Sequence, residues 1–495
     1  MPSPARTEPT YAGRLLLPTL CFVVMTVSVM QTMVVPIIGT IGGQLGVSTT
    51  AAGWVLTANL LAAVVATPVI GRLADLYGKR RVLLTVLALV LVGSLLAALT
   101  DSLPLLLAGR ILQGVSYALF PIAIALLRDE MHPNKLVGAM AVVSGTLSVG
   151  AGFGLILTGL LTTDGADYHR VFWLTAAIVA AALALSWRAV PARTRAAGGT
   201  VDWWGALLLG AALVLLFLAL TQGRTWGWVS LATLACAASG VVVLAGWWIY
   251  QNRITAPLVD PRMLTHGPLF ATNVATLFVG IAMFLNFLTC SYFVQTSHEA
   301  AGYGFSADVL SASVVYLLPG ASLGALTSLL AGRLIRRFGA RAVLIGGSCL
   351  GTAGFVFYAF ARDATWQVIT ASAAVSIFVA LAFAAVPNLL MAEVPARDTG
   401  VANSVNSIVR TVGTSIASAL LTTMLATYTV AGTSIPREGV YLAAFVVGAL
   451  ACIVVTVSAL AVRLTPVVDE PADGVDSELV DNCSASTRDG QARGA

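Results

Sequence analysis

Charge is scarce in this chain. Asp, Glu, Lys and Arg supply 10% of 495 residues, against 58% hydrophobic, and the mean hydropathy is +0.90. A water-facing globule cannot hide that much apolar surface, which excludes a soluble fold. Acids are scarcer still inside the apolar runs. Of 22 Asp and Glu none lies deep within one, and Asp308 and Glu393 only border one. Histidine is rare: His132, His169, His266 and His298 all fall in or beside loops, and no two stand four apart. Paired carboxylates and a Ser-His-Asp arrangement are therefore not to be found by motif, and no enzyme is expected. Cys21, Cys236, Cys290, Cys349 and Cys452 lie in apolar runs and Cys483 in a polar tail, which offers neither a disulfide framework nor metal-ligand spacing. A phosphate-binding glycine loop followed by lysine is missing too, which argues against a nucleotide-driven pump. No cofactor or metal is expected.

What is present is a series of apolar runs long enough to cross a bilayer. Fourteen are read, near 15–38, 53–70, 82–100, 104–127, 136–161, 171–188, 203–221, 229–250, 269–295, 309–331, 342–361, 366–391, 401–428 and 440–462. The fold expected is an all-α polytopic membrane protein. Residues 1–14 form a short polar segment without a small-residue cleavage pattern, so the first span is expected to be retained. Residues 464–495 form a polar, acidic tail, expected to be disordered and cytoplasmic.

The basic residues orient the chain. With the N-terminus inside, 21 of 27 Lys and Arg fall in inner segments. Four (Arg170, Arg224, Arg362 and Arg437) fall in outer loops, and two, Arg110 and Arg410, lie inside spans. This bias and the even number of spans put both termini in the cytoplasm. The net charge of +5 is thus a topology signal, and no nucleic-acid partner is needed to explain it.

One charged stretch is written twice. Residues 71–81 read GRLADLYGKRR and residues 332–342 read GRLIRRFGARA. Each falls in an inner loop, after spans 2 and 10. That spacing divides the chain into a six-span block at 15–190, a linker with two inserted spans at 191–265, and a second six-span block at 266–463. Duplicated blocks of this kind hold substrate between the halves near the midplane. Gly71 and Gly78 allow a tight turn, Arg72 follows the first glycine, and Arg80 and Arg81 are expected at the anionic inner leaflet. Asp75 is the one acid, suited to the N-terminus of a neighbouring helix. Span 13, which enters near Gly400, is the expected partner. The second copy carries Arg336 at that position, so the expected latch is one-sided.

GRLADLYGKRR resembles the signature loop of the major facilitator superfamily, and LAGRILQGVSYALFP (107–121) resembles the fourth-span motif of its drug:proton antiporters. Trp54-x-x-Thr57-Ala58, FVQ at 293–295, LLPG at 317–320 and GVANSVNSIVRTVGTSI at 400–416 are similar to its fourteen-span branch. The resemblance covers about residues 15–463. It implies two six-helix bundles plus two linker helices, in the bacterial cell membrane, acting as a monomer that exports hydrophobic drug- or antibiotic-like molecules. Protons would be the coupling ion. An exporter of an endogenous lipid or secondary metabolite, or an uncoupled facilitator, is the alternative.

An arginine inside the membrane costs about 2.5–3.5 kcal/mol at a helix centre on insertion scales, so Arg110 and Arg410 should face a cavity or a partner. Arg110, Gln113, Gly114 and Tyr117 share one face of span 4. Arg410 stands on a stripe with Asn403, Ser407, Thr414 and Ser418. Asn286 in span 9 is assigned to the same pathway for substrate or protons. Interhelical hydrogen bonding is the competing role for all of these. Met25, Met30, Met33, Tyr117, Phe284, Phe287, Tyr292 and Phe293 are expected to offer an apolar wall.

Two departures from the family pattern matter. The span-1 stretch VMQTMVVPI (29–37) has Gln31 where the antiporters carry Asp. In GAGFGLILTG (150–159), Leu155 replaces a proline and Thr158 a glycine. The usual proton-carrying carboxylate is therefore missing, or supplied from the periphery by Asp75, Asp129 or Asp308. Gln31, able to donate and accept, is expected to meet substrate. A neutral or anionic substrate fits this pattern better than a strongly cationic one.

Overall fold

The computed structural model describes residues 15–161, 167–191, 201–254, 257, 265, 267–394, 399–430 and 435–462. Residues 1–14, the acidic tail and parts of the linker lie outside these. Among the described residues fourteen helices are long and apolar enough to span a bilayer. They are α1 (Leu16–Met33), α2 (Ala51–Tyr77), α3 (Lys79–Leu99), α4 (Leu103–Glu130), α5 (Lys135–Leu161), α6 (His169–Ala189) and α7 (Trp203–Gly223). Then follow α8 (Leu231–Gln251), α9 (Gly267–Gln295), α10 (Ala312–Phe338), α11 (Ala340–Phe360), α12 (Thr365–Glu393), α13 (Thr399–Leu425) and α14 (Glu438–Ala461). Where water cannot satisfy backbone polar groups, helices do so within themselves. The described residues hold one isolated β-bridge, Thr429 with Pro436.

The packing repeats. In the first bundle α1 lies on α5, α2 on α4, and α3 on α4 and α6; in the second, α9 lies on α13, α10 on α12, and α11 on α12 and α14. Small residues permit these approaches. Gly150 and Gly154 of α5 face Met25, Ser28 and Val29 of α1, and Gly280 of α9 faces the Arg410 carbonyl of α13. The bundles meet along two equivalent seams, α2 with α13 and α5 with α10.

The basic stretches are not loops, which corrects the sequence reading. Gly71–Tyr77 is the end of α2, Lys79 opens α3, and Gly78 alone separates them at φ 98°. Gly339 does the same between α10 and α11 at φ 83°. Only glycine adopts such angles without strain. Long basic side chains extend a helix beyond its apolar stretch by carrying their charge outward while the stem stays packed, so charge misread as loop is still helix. Arg80 Nη2 donates to the Trp187 carbonyl at the end of α6, 2.8 Å away. A cation is favoured there by the helix dipole.

Span 1 is shorter than expected. α1 stops at Met33, ahead of Pro36, and a separate helix, Ile38–Gln44, follows. The inserted α7 and α8 pack on each other, and α7 also packs on α2 and α13. Asp202 caps α7 by accepting from Gly205 N (2.8 Å) and binds Gln251 Nε2 of α8 (2.9 Å).

Candidate functional site

A cavity of about 560 Å³ lies between the bundles. Its walls come from α1 (Gln31, Thr32), α2 (Leu56, Thr57, Asn59), α4 (Arg110, Tyr117, Phe120), α9 (Met283, Phe284, Asn286, Phe287), α12 (Ser376, Phe383) and α13 (Arg410, Thr414, Ser418). It runs toward the end of the molecule holding the C-terminus of α1 and the N-terminus of α2, where Val35 and Gly53 line it.

Arg110 is 2% exposed. Its Nε donates to the Val55 carbonyl (3.1 Å) and its Nη1 to Gln113 Oε1 (2.5 Å). Gln113 Nε2 donates onward to Ser94 Oγ of α3 (2.9 Å). Asn59 Nδ2 donates to the Arg110 carbonyl (2.9 Å), which ties α2 to the same turn. The motif's residues thus divide their work. Arg110 and Tyr117 border the cavity, whereas Gln113 stands behind Arg110 and fixes its side chain. Between them the helix tightens to a 3₁₀ turn, Val115–Ala118, which turns the Tyr117 ring toward the space.

Arg410 is held differently. Its guanidinium carbon lies 5.3 Å from the Phe120 ring centre and 5.0 Å from that of Phe383, and Nη2 donates to Ser407 Oγ (3.2 Å). Arginine planes stack on aromatic faces in this way. Of its proposed stripe, Thr414 and Ser418 line the cavity, while Asn403 is buried and donates to the Thr399 carbonyl (3.0 Å). Gln31 and Asn286 also line the cavity.

The apolar wall differs from expectation. Phe284 and Phe287 line it, but Met30 and Met33 are buried in the packing of the first bundle. Phe293 is buried in an aromatic group with Tyr303, Phe305 and Tyr441, and Tyr292 is exposed. A helix apolar on every side does not disclose which side faces a cavity. Sequence reasoning also missed Phe120, Phe383, and Leu220, Thr221, Gln222 and Thr225 of α7 and its C-terminal extension. The last four escaped because the inserted pair reads as a connector.

The opposite end is closed. The Asp75 carboxylate is buried at the first turn of α13 and accepts from Val401 N at 3.3 Å. A Cβ on Gly400 would stand 2.6–2.9 Å from that carboxylate. Arg128 of α4 donates to Thr399 Oγ1 and, at 3.1 Å, to the Val394 carbonyl. Lys79 Nζ meets Asp129 Oδ2 at 2.5 Å, which pins the start of α3 to the end of α4. Of the peripheral acids, Asp129 is thus held in an ion pair. Asp308, outside the spans, is held below the usual carboxylate range by hydrogen bonds from the Ser311 side chain and backbone.

Comparison with known proteins agrees with this architecture. The chain is 33% identical over 268 residues to an MFS-type transporter of Mycobacterium tuberculosis, covering 53% of this chain and 38% of that protein; it spans well under half of that relative's length. It is 28% identical over 381 residues to the tetracenomycin C resistance and export protein of Streptomyces glaucescens (75% of this chain, 68% of that one). Multidrug resistance protein 3 of Bacillus subtilis is 27% identical over 392 residues (77% and 74%). The crystal structure of the human organic anion transporter MFSD10 has the same fold, with a TM-score of 0.64 at 14% identity, over 91% of this chain and 99% of that one. The family model described as Major Facilitator Superfamily matches residues 20–418 and 278–481. The repeated bundles, the paired glycine turns and these matches together make the chain a member of the major facilitator superfamily.

Proposed function

We propose that the protein is a secondary active transporter that exports hydrophobic small molecules of drug or antibiotic type by alternating access, with protons as the coupling ion. The observation that carries this reading is a cavity between two equivalent bundles, lined at one end and latched at the other. A binding space accessible from one side at a time is the minimum that alternating access requires. In this reading both termini are cytoplasmic, so the cavity faces the exterior and Asp75 closes the cytoplasmic end. The working unit is one chain in the bilayer, with bundles at 15–190 and 266–463 joined by the inserted pair. Resistance and export proteins among its relatives support the substrate class.

The test is transport in proteoliposomes under an imposed proton gradient, with a small panel of hydrophobic compounds. Saturable, gradient-dependent movement is expected. Arg110→Ala should abolish it with membrane expression intact, because that guanidinium borders the cavity. An alanine variant that transports like the wild type would assign Arg110 to helix packing.

A further inference from the structure

The charge of the cavity is one-sided. The guanidiniums of Arg110 and Arg410 reach it, and no carboxylate lines it among the described residues. The two arginines are satisfied to different degrees. Arg110 is anchored by the Val55 carbonyl and Gln113. Among the described residues Arg410 makes one side-chain hydrogen bond, to Ser407 on its own helix, although a guanidinium carries five N–H donors in one plane. Phe120 and Phe383 support Arg410 through their ring faces, which fixes its position without using those in-plane donors. A positioned cation with open donors, walled by apolar helices, is matched by an anion with two acceptor oxygens.

Two neighbours refine the match. Tyr117 lies within electrostatic reach of both guanidiniums and brings a hydroxyl to the same wall. Asn286 is 7% exposed, lines the cavity, and its Oδ1 has no hydrogen-bond partner among the described residues. A buried acceptor left unmet costs stability unless a ligand supplies the donor. Beside these polar groups stand Phe284 and Phe287, with ring centres 6.1 Å apart and planes tilted by 40°, a surface suited to a flat apolar body.

We propose that the cavity takes an amphipathic organic anion: Arg410 receives its carboxylate, its ring system lies against Phe284 and Phe287, and Asn286 accepts a hydrogen bond from a hydroxyl or amide on that body. This rests on the transport reading above and names its substrate class. Because the substrate carries charge, each molecule exported carries one negative charge across the membrane in addition to the charge of any proton exchanged for it, and the membrane potential acts on the flux directly.

Three probes with one ring system and different heads test this: 1-pyrenebutyrate, 1-pyrenebutanol and pyrenylbutyl-trimethylammonium. Titrated against the full-length protein in detergent, with a detergent blank, the butyrate should bind about tenfold tighter than the ammonium probe, the scale of one charged hydrogen bond. Arg410→Gln should remove that preference, and a monodisperse size-exclusion peak reports that the variant is folded. If Arg410→Gln fails to fold, Arg410→Lys carries the test. It keeps the charge but loses the planar fork, and should weaken butyrate binding severalfold with the alcohol unaffected. Equal binding of anion and cation, or a glutamine or lysine variant that binds butyrate like the wild type, overturns the proposal. In proteoliposomes with a valinomycin-set potential and no pH gradient, pyrenebutyrate flux should follow the potential. A flux that ignores the potential and needs a pH gradient overturns the charge-carrying step. An anion preference in binding, with no probe moved under either gradient, would support the site while refuting the transport reading.

Discussion

Gly71 and Gly332 occupy equivalent places in the two bundles, each where a side chain would strike the fifth helix of the other bundle. A Cβ on Gly71 would overlap Ser404 of α13, and one on Gly332 would come within 2.6 Å of Gly138 of α5. The backbones repeat, and the turns at Gly78 and Gly339 repeat with them. The charges do not. Asp75 sets a carboxylate at the start of α13, while Arg336, its counterpart, sets a guanidinium beside Gly138 in the early turns of α5. An anion at a helix N-terminus is favoured by about 0.3–1 kcal/mol at an exposed site and by up to about 2 kcal/mol when partly buried, and a cation there is disfavoured. One seam therefore has an electrostatic clasp and the other does not. The unclasped α5–α10 seam is instead packed along its length, from Gly138 with Gly332, through Gly145 with Ser328, to Gly152 with Ala321. Both seams border the cavity: Gly152 and Ala321 line it from α5 and α10, and Leu56, Leu60, Ser418 and Thr422 from α2 and α13, with Leu220, Thr221, Gln222 and Thr225 beside them. The difference teaches that a duplicated backbone can hold its two equivalent seams by different means, a buried carboxylate at a helix N-terminus on one and small-residue packing on the other.

Making the two stretches alike should have the largest effect. Asp75→Arg buries an uncompensated cation at a helix N-terminus, at a cost of about 3–5 kcal/mol. Turnover in a transport assay should fall below detection while the protein still inserts. Near-normal turnover would show that the clasp is dispensable.

Steric intrusion comes next. Gly71→Val and Gly332→Val each force a side chain into a close helix contact, which costs about 1–3 kcal/mol. Gly71→Val should open the α2–α13 seam selectively, read as faster alkylation of a cysteine placed at Ser404. Gly332→Val should lower the melting temperature instead, since its seam is packed throughout. Equal behaviour of the two would erase the distinction between clasped and packed seams.

A smaller effect is expected for Asp75→Asn, which keeps an acceptor and loses the charge. Roughly the dipole contribution is lost, about 0.3–2 kcal/mol. Turnover should slow severalfold with the apparent substrate affinity unchanged. Lost affinity at normal turnover would put Asp75 in the binding site.

The mildest change sharpens the comparison. Arg336→Asp gives the second stretch the acid it lacks and should stabilise the closed end by about 0.3–1 kcal/mol. Less labelling of a cysteine at Ser328 is the expected readout; more labelling would mean that Arg336 itself holds that seam.

Much of this is legible in the sequence. Runs of about twenty apolar residues announce helices because a bilayer leaves the backbone no other way to satisfy itself. The duplicated glycines announced a repeat, and Gln31, Arg110, Tyr117, Asn286 and Arg410 were singled out because a polar group in an apolar helix needs a reason to be there. All five line the cavity. Gln113 was drawn from the same face as Arg110, yet it faces α3, since three residues along a helix leave enough angle for one side chain to meet solvent and the next a neighbour. Met30, Met33 and Phe293 were misplaced for another reason: lipid, core and cavity wall are all apolar.

The sequence by itself determined the number of membrane-spanning helices, their repeat, the scarcity of acids in the apolar runs, and the charge difference between Asp75 and Arg336. Each is a matter of composition and order along one chain, and bilayer thickness and side-chain chemistry act on those locally. Only the tertiary structure decided that the charged stretches are helical up to a single glycine, that Phe120 and Phe383 from different bundles clasp Arg410, and that the inserted α7 reaches the cavity. Those outcomes depend on which helix faces meet, and facing is set by small-residue contacts between segments hundreds of positions apart, which no local pattern encodes.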